Sequence, residues 1–228
     1  PKITKNQSLL NSFLKFQANR EDLELDFEIS AFEDLSKEKD FDKFQYILPG
    51  FSISKIIPLD NQFGSNLMLK SSGLSKKIDT NVSEKYFIND VIYKSQNFFS
   101  RNGLIKNFGI NYKNSSKKGK NSSTYGDDFK SDNFIQAESL VSLPLKKVDE
   151  NFKSIFSPKA LFLFSPFKSE NLSQLDQNLN NSNLFSSNRI GQNDSLEGGT
   201  SLTLGFDYSI ASTDDREIFS SNLGQIFR

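Results

Sequence analysis

The sequence predicts an all-β protein, an antiparallel meander of about ten long strands. Several segments alternate between apolar and polar side chains, which is the pattern of a β-strand with one apolar and one wet face. The 228-residue chain is only 36% hydrophobic, yet 13% of its residues are aromatic, whereas disordered chains are poor in aromatics. Strands with one apolar face, joined by polar loops, account for both numbers.

The strands are predicted in order along the chain from this alternation. Residues 23–31 and 202–210 alternate without interruption, and residues 104–112 do so less cleanly. Weaker patterns predict strands in residues 8–16, 43–57, 62–74, 86–95, 134–145, 158–165 and 217–227. The second of these is expected to break at Pro49-Gly50, since proline cannot donate a hydrogen bond to a sheet.

Two long polar loops are expected between the strands, near residues 114–133 and 168–199. Both are rich in Asn and Ser, residues that favour turns, and the second is also rich in Gln. Otherwise we expect residues 1–228 to form one segment of a single domain. The sequence starts at Pro1, which indicates a segment of a longer protein.

Composition argues against several classes of function. The chain has no His and no Cys, so it cannot supply a histidine base, a thiolate nucleophile or a zinc-thiolate site. Its 28 Lys and Arg balance 28 Asp and Glu, which argues against a nucleic-acid partner. We therefore expect no enzyme, no catalytic residue, no cofactor and no metal.

The length of the strands separates two β-architectures. Strands of soluble sandwiches are usually about five to six residues long, whereas a strand that crosses a bilayer needs about 9–11. No stretch approaches the roughly 20 apolar residues of a membrane helix. The sequence therefore favours part of a large transmembrane β-barrel, with one face toward lipid and the other toward a wet lumen. Alone, such a segment is expected to form a curved, open sheet.

Three acids share the polar face of the first clear strand: Glu24, Asp26 and Glu28. They could line the lumen or bind a divalent cation. Neighbouring acids on one strand face lie about 7 Å apart, too far to hold one ion without other ligands. A hydrated lumen wall is the interpretation we favour.

A family resemblance appears in the C-terminal third. Asn183-Leu-Phe-Ser-Ser-Asn-Arg-Ile-Gly191 is followed by Asp194-Ser-Leu-Glu-Gly-Gly-Thr-Ser-Leu-Thr-Leu-Gly205 and by Leu223-Gly-Gln-Ile-Phe-Arg228. This order resembles the "NLF…NR…G.DR.E.GT…T.G" and "GQ.YR" motifs of the LptD family, the lipopolysaccharide-assembly proteins of Gram-negative outer membranes. Weaker similarities to that family lie at residues 46–51, 143–145 and 156–166. The overall pattern resembles alphaproteobacterial members of the family. One departure is Ser195, which stands where the family often has Arg.

The resemblance implies a function and a set of partners. Lipopolysaccharide would pass to the outer leaflet through a β-barrel translocon, with sugars in the lumen and acyl chains released into outer-membrane lipid. An LptE-type lipoprotein plug and periplasmic Lpt bridge proteins would be its partners. The family's periplasmic jelly-roll domain and barrel-closing strands are expected to lie outside these residues.

The motif also supplies candidate site residues: Asn188, Arg189, Asp194, Glu197, Gly198 and Gly199. They could form a polar network in the lumen that shapes the path of the sugars. They could instead form a structural clasp, with Arg189 paired to an acid and the glycines giving backbone freedom. We favour the clasp. Two other functions remain open, another outer-membrane barrel such as a porin or receptor, and a soluble secreted β-sandwich that acts as a binding module.

Overall fold

The protein is all-β, as the sequence predicted. The computed structural model describes residues 8–37, 43–78, 81–168, 179–180, 183–189 and 193–228. Among these residues, no helix is long and apolar enough to cross a lipid bilayer. The strands are β1 (Leu9–Asn19), β2 (Leu23–Asp34), β3 (Phe44–Pro58), β4 (Asn66–Ile78), β5 (Val82–Lys94), β6 (Phe98–Phe99), β7 (Ile105–Lys120), β8 (Lys130–Ser142), β9 (Leu145–Val148), β10 (Phe152–Ser165), β11 (Gly199–Ser212) and β12 (Glu217–Phe227).

The strands form an antiparallel meander. Hydrogen-bonded neighbours follow the chain in the order β1-β2-β3-β4-β5-β7-β8-β10-β11-β12. The short strands β6 and β9 lie off this path, where β6 pairs with β7 and β9 with β10. The prediction of about ten long strands is therefore confirmed, and the two short strands are those that alternation over so few residues could not predict.

One predicted break is a bulge inside a continuous strand. β3 runs unbroken from Phe44 to Pro58, so the interruption expected at Pro49-Gly50 was wrong. Glu28 pairs with Gly50 and Ser30 with Ile47, which leaves one extra residue on β3. A bulge is one of the few places in a sheet that accepts proline, because its extra residue is not part of the hydrogen-bond ladder.

The first polar loop is shorter than predicted. β7 extends to Lys120 and β8 begins at Lys130, so only residues 121–129 connect them. The polar residues before and after the loop bond across the two strands: Asn114 Nδ2 donates to Asn133 Oδ1 at 3.0 Å, and the hydroxyls of Ser116 and Ser131 lie 3.0 Å apart. Such cross-strand pairs stabilise a sheet without apolar residues. The second loop, predicted over 168–199, gives its last residue to β11, and residues 169–178, 181–182 and 190–192 lie outside the described residues.

The chain divides into two compact units. Unit 1 comprises Pro1–Ile57, Leu67–Val91 and Lys113–Asn133, and unit 2 comprises Pro58–Asn66, Ile92–Tyr112 and Phe134–Arg228. In unit 1, Phe27 pairs with Phe16 on β1 and Phe51 on β3, and Asp26 pairs with Gln17 and Ser52. Since successive side chains point to opposite faces, unit 1 has an apolar face and a polar face.

Unit 2 shows the same division, with the apolar face exposed. Phe162 pairs with Leu202, and they are 45% and 39% exposed. Their neighbours on the opposite face, Leu161 and Thr203, also pair and are only 2% and 0% exposed. A soluble protein buries its large apolar side chains, whereas a barrel strand presents them to lipid.

Candidate functional site: a clasp on the covered face of unit 2

Residues 183–189, which lie between β10 and β11, pack on the covered face of unit 2 and contact two glycines there. Gly205 on β11 pairs with Gly224 on β12. A Cβ atom on Gly224 would overlap Leu184, and one on Gly205 would lie 2.8 Å from the ring of Phe185 as well as overlapping the backbone carbonyl of Leu223. The absence of side chains at these two positions therefore makes the room that Leu184 and Phe185 occupy.

A lysine also contacts the ring of Phe185. The ammonium group of Lys159 lies 4.3 Å from the centre of the Phe185 ring, within the range of a cation–π interaction. The same ammonium pairs with Asp207 at 2.6 Å. One lysine of β10 thus contacts the docked segment and β11 together.

The centre of the site is a buried ion pair between Arg189 and Glu197. Arg189 Nε donates to Glu197 Oε2 at 2.8 Å, and Nη2 donates to Oε1 at 2.7 Å. Both residues are only 4% exposed. This bidentate geometry matches the guanidinium fork to the carboxylate and is the strongest form of the pair.

The rest of the guanidinium is bonded to β11. Arg189 Nη1 donates to the Thr203 hydroxyl at 2.7 Å, and Nη2 donates to the Ser201 hydroxyl at 2.6 Å. Ser201 and Thr203 project to the same face because they are two residues apart on one strand. Arg189 therefore ties the connecting segment to the strand that follows it.

Glu197 also has partners on β8 and after β12. Gln136 Nε2, on β8, donates to the Glu197 carbonyl oxygen at 3.1 Å. Arg228 Nη2 donates to Glu197 Oε1 at 2.9 Å, although the Arg228 side chain is 57% exposed. The carboxylate thus meets two guanidinium groups, and its burial is compensated by charge as well as by hydrogen bonds. We call the set Gln136, Arg189, Glu197, Ser201, Thr203 and Arg228 the clasp.

The two motif glycines serve different purposes. Gly199 has φ of +79°, a left-handed conformation that favours glycine, and its N–H donates to the Phe167 carbonyl at 2.7 Å. Gly198 lies so close to the chain before it that a Cβ would approach the Lys168 carbonyl to 2.5 Å. Together they let the chain pass against the end of β10 and enter β11.

The other predicted motif residues lie beside the clasp. Asn188 precedes Arg189 and is half-buried, as is Asp194. Glu197 supplies both carboxylate oxygens that Arg189 binds, so it is the acid that the structure brings together with Arg189.

The predicted acids of unit 1 lie on its polar face, where Asp26 has a charged partner and a neutral hydrogen-bonding partner. Asp26 lies 3.4 Å from Lys15 Nζ and accepts a hydrogen bond from Gln17 at 2.5 Å, with 42% of its side chain exposed. Glu24 is exposed and Glu28 is half-buried. Among the described residues, no group of three or more potential ligands is placed to hold a metal ion.

Sequence reasoning missed a second buried ion pair, on the polar face of unit 1. Lys113 Nζ lies 2.7 Å from Asp90 Oδ1, and their side chains are 6% and 15% exposed. It also missed Gln136, Ser201, Thr203 and Arg228 as clasp members. The signal for the two hydroxyl residues was present, because they occupy the polar positions of a strand that alternates without interruption.

Comparison with known families assigns the chain. The model of the family LptD, LPS transport system D, matches residues 111–228, just over half of the chain. The chain belongs to the LptD family. No curated protein sequence matches it.

The LptD match covers the whole clasp and both glycine positions. The weaker mark at residues 46–51 lies outside it. Membership confirms the resemblance of the C-terminal motifs and gives the chain its general function, the assembly of lipopolysaccharide at the outer membrane, with lipopolysaccharide as the substrate.

Proposed function

We propose that this LptD chain forms part of the wall of a barrel in the outer membrane, through which lipopolysaccharide reaches the outer leaflet. The observation that carries the proposal is the difference between the two faces of unit 2. Phe162, Leu202 and Leu204 are exposed on one face, and Thr203 is buried on the other beneath the segment that bears Arg189. A wall of this kind presents hydrocarbon to lipid and polar groups to the sugars of the substrate.

In this proposal the clasp positions a segment of the wall and does not react with the substrate. The Arg189 guanidinium has its nitrogens bonded to Glu197, Ser201 and Thr203, so it is engaged in holding the segment. The lipid crosses the membrane unchanged, and no bond is made or broken. The clasp would keep residues 183–189 and 193–197 against the covered face, so that the width of the adjoining path stays constant.

The partners follow from family membership and are part of the proposal. An LptE-type lipoprotein plug would fill the lumen, and periplasmic Lpt bridge proteins would deliver lipopolysaccharide to the barrel. The plug would meet the polar faces of the strands, where ion pairs such as Lys15–Asp26 offer matched charges to a polar surface.

The test is replacement of the cell's own copy by full-length protein carrying Arg189→Met. We expect less lipopolysaccharide on intact cells, measured with an antibody to its sugars, at equal amounts of folded protein in the outer membrane. Lys147→Met is the matched control, since Lys147 forms an exposed pair with Asp149. Unchanged surface lipopolysaccharide after complete depletion of the protein would contradict the proposed function, because a second route would then suffice.

A further inference from the structure

Three exposed lysines lie on the apolar face of unit 1, at neighbouring strand ends. They are Lys77 near the end of β4, Lys85 near the start of β5 and Lys118 near the end of β7. Lys76 pairs with Glu84 at 3.5 Å, on the polar face. Because side chains alternate, Lys77 and Lys85 project to the other face. We call Lys77, Lys85 and Lys118 the lysine row.

The strand contacts place Lys85 and Lys118 at one level. The Lys113–Asp90 pair joins β7 to β5 on the polar face. Lys118 is five residues after Lys113 and Lys85 is five residues before Asp90, so on antiparallel neighbours they come to the same level, on the opposite face. Like charges at the same level of adjacent strands repel each other, and an anion between the two ammonium groups would relieve the repulsion.

The lysine row lies beyond apolar and polar residues of the same face. On β4 the outward residues run from Leu69 and Ser71 toward Lys77. On β5 they run from Val91 through Asn89 and the 43% exposed Phe87 to Lys85. Ser71 Oγ donates to Asn89 Oδ1 at 2.9 Å, so the polar residues lie at one level. The outward face thus passes from exposed apolar side chains, the last of them Phe87 on β5, to cations near the strand ends, as a bilayer passes from acyl chains to charged headgroups.

The carboxylates of these strands lie elsewhere. Glu84 and Asp90 lie on the polar face, where they pair with Lys76 and Lys113. Within the described part of the chain, no carboxylate is within 4.0 Å of an ammonium group of the lysine row. The nearby loop carries Asp127 and Asp128, and Asp127 accepts a hydrogen bond from the Asn121 N–H at 3.1 Å.

The lengths of the connections orient this end of unit 1. At the end that holds the lysine row, the strand connections are residues 35–43, 79–81 and 121–129, and the first and last of these are the longest. At the other end the connections are residues 20–22, 59–65 and, after β6, 100–104. Transmembrane barrels have short turns on the periplasmic side and longer loops outside. Asn121 Nδ2 donates to the Asn81 carbonyl at 3.3 Å, which ties the connection after β7 to the turn after β4. The row therefore faces the outer leaflet.

We propose that the lysine row is a binding site for the phosphate groups of lipopolysaccharide in the outer leaflet, on the lipid-facing side of the wall. The inference rests on the proposed function for its orientation in the membrane. Lysine binds phosphate as a point charge on a flexible stem, which suits a mobile lipid headgroup. The site would hold already delivered lipid around the protein, and is thus separate from the path across the membrane.

The test uses full-length protein in nanodiscs of phosphatidylcholine that contain lipid A as the probe. Native mass spectrometry counts the lipid A molecules that stay bound after release from the disc. We expect the double variant Lys85→Gln/Lys118→Gln to lower retention of lipid A by about tenfold or more at low salt. Each lysine near an anionic surface adds a favourable electrostatic attraction to the headgroup, and the variant removes two. The matched control is Lys146→Gln with Lys147→Gln, two exposed lysines of β9, which we expect to retain lipid A like the unaltered protein.

Three results would overturn the site: equal retention by both double variants, equal retention of dephosphorylated lipid A, or equal retention of phosphatidylglycerol. The last would assign the row to anionic lipid in general. Surface lipopolysaccharide on cells is measured in parallel. Loss of retention with unchanged delivery supports the site and leaves the proposed function intact, whereas unchanged retention with unchanged delivery contradicts the site alone.

Discussion

Arg189 and Glu197 form a pair that is sensitive to loss of either partner. Two buried opposite charges stabilise each other through short hydrogen bonds, but one left alone in the same place is strongly unfavourable. The clasp therefore adds little net stability over an apolar pair while making the conformation specific.

Arg189→Met is expected to reduce the free energy of unfolding by about 3–5 kcal/mol, because Glu197 stays buried with only exposed Arg228 as its cation. The double variant Arg189→Met/Glu197→Met should lose less than the single one. Urea unfolding of full-length protein refolded in lipid vesicles measures both. Lys147→Met serves as control and should change stability by about 0–1 kcal/mol, as exposed pairs do. If Arg189→Met lost no more stability than Lys147→Met, the ion pair of the clasp would not be buried.

Asp215, in the turn between β11 and β12, is the residue for a pH prediction. A hydrogen bond from Lys153, 2.7 Å away, holds the pKa of the Asp215 carboxyl below its usual value, and the charge of Lys153 adds to the effect. A lowered pKa means that the pair's contribution to stability is present above the carboxyl's unfolded pKa and is lost as pH falls through the folded one. Lys153→Met is expected to raise the pKa of Asp215, measured by the pH dependence of its side-chain carbon resonance. An unchanged pKa would show that the two side chains do not meet.

At the scale of elements, the strands could be predicted and their packing could not. Alternation over residues 202–210 predicted β11, and the structure extends it to Gly199–Ser212. Pattern alone could not show that Ser201 and Thr203 would be covered by the preceding segment, since a polar strand face is ordinarily wet. Nor could composition separate loop from strand at residues 114–120, where Asn and Ser bond across the sheet.

The paired glycines of β11 and β12 give a prediction at this scale. Gly205→Ala is expected to cost about 1–3 kcal/mol, because its Cβ would overlap the backbone carbonyl of Leu223, which cannot rotate away. Gly224→Ala meets the side chain of Leu184 instead, so Leu184→Ala should partly restore the stability of that variant. Thermal unfolding of the full-length protein measures each.

The matched control is Gly126→Ala in the connection between β7 and β8, where an added Cβ has nothing within 4 Å. Its stability should be within about 0.5 kcal/mol of the unaltered protein. If Gly224→Ala matched this control, Leu184 would not be seated on the glycine.

At the scale of the whole molecule, composition predicted more than any single motif did. A chain that is 36% hydrophobic has too little apolar surface for both a dry core and a lipid face, and unit 2 places its large apolar side chains mainly on one exposed face. The family could be predicted because its motif includes the charged residues of the clasp and the two glycines, Gly198 and Gly199, that lead the chain into β11. The covering of the polar face could not be predicted, since it depends on where the segment before β11 folds back.

The exposed apolar face predicts which positions meet lipid. The chain has no cysteine of its own, so a single introduced thiol in this stretch can carry a fluorescent label. Leu204→Cys, at a position 44% exposed, should be quenched by brominated lipid and shielded from iodide. Ser52→Cys, on the polar face of unit 1, should show the reverse. Equal quenching of both labels by iodide would support the soluble sandwich instead.

The clasp also bears on the order in which the chain assembles. Arg189 needs Ser201 and Thr203 of β11, and Glu197 needs Gln136 of β8 and Arg228 beyond β12. Its members come from β8, from β11 and from the residue after β12, so it closes only after those strands have paired. Until then, residues 183–189 and 193–198 stay open to a protease. Cleavage within these residues would indicate a barrel that has not finished folding, and resistance to the protease would indicate a fully folded one.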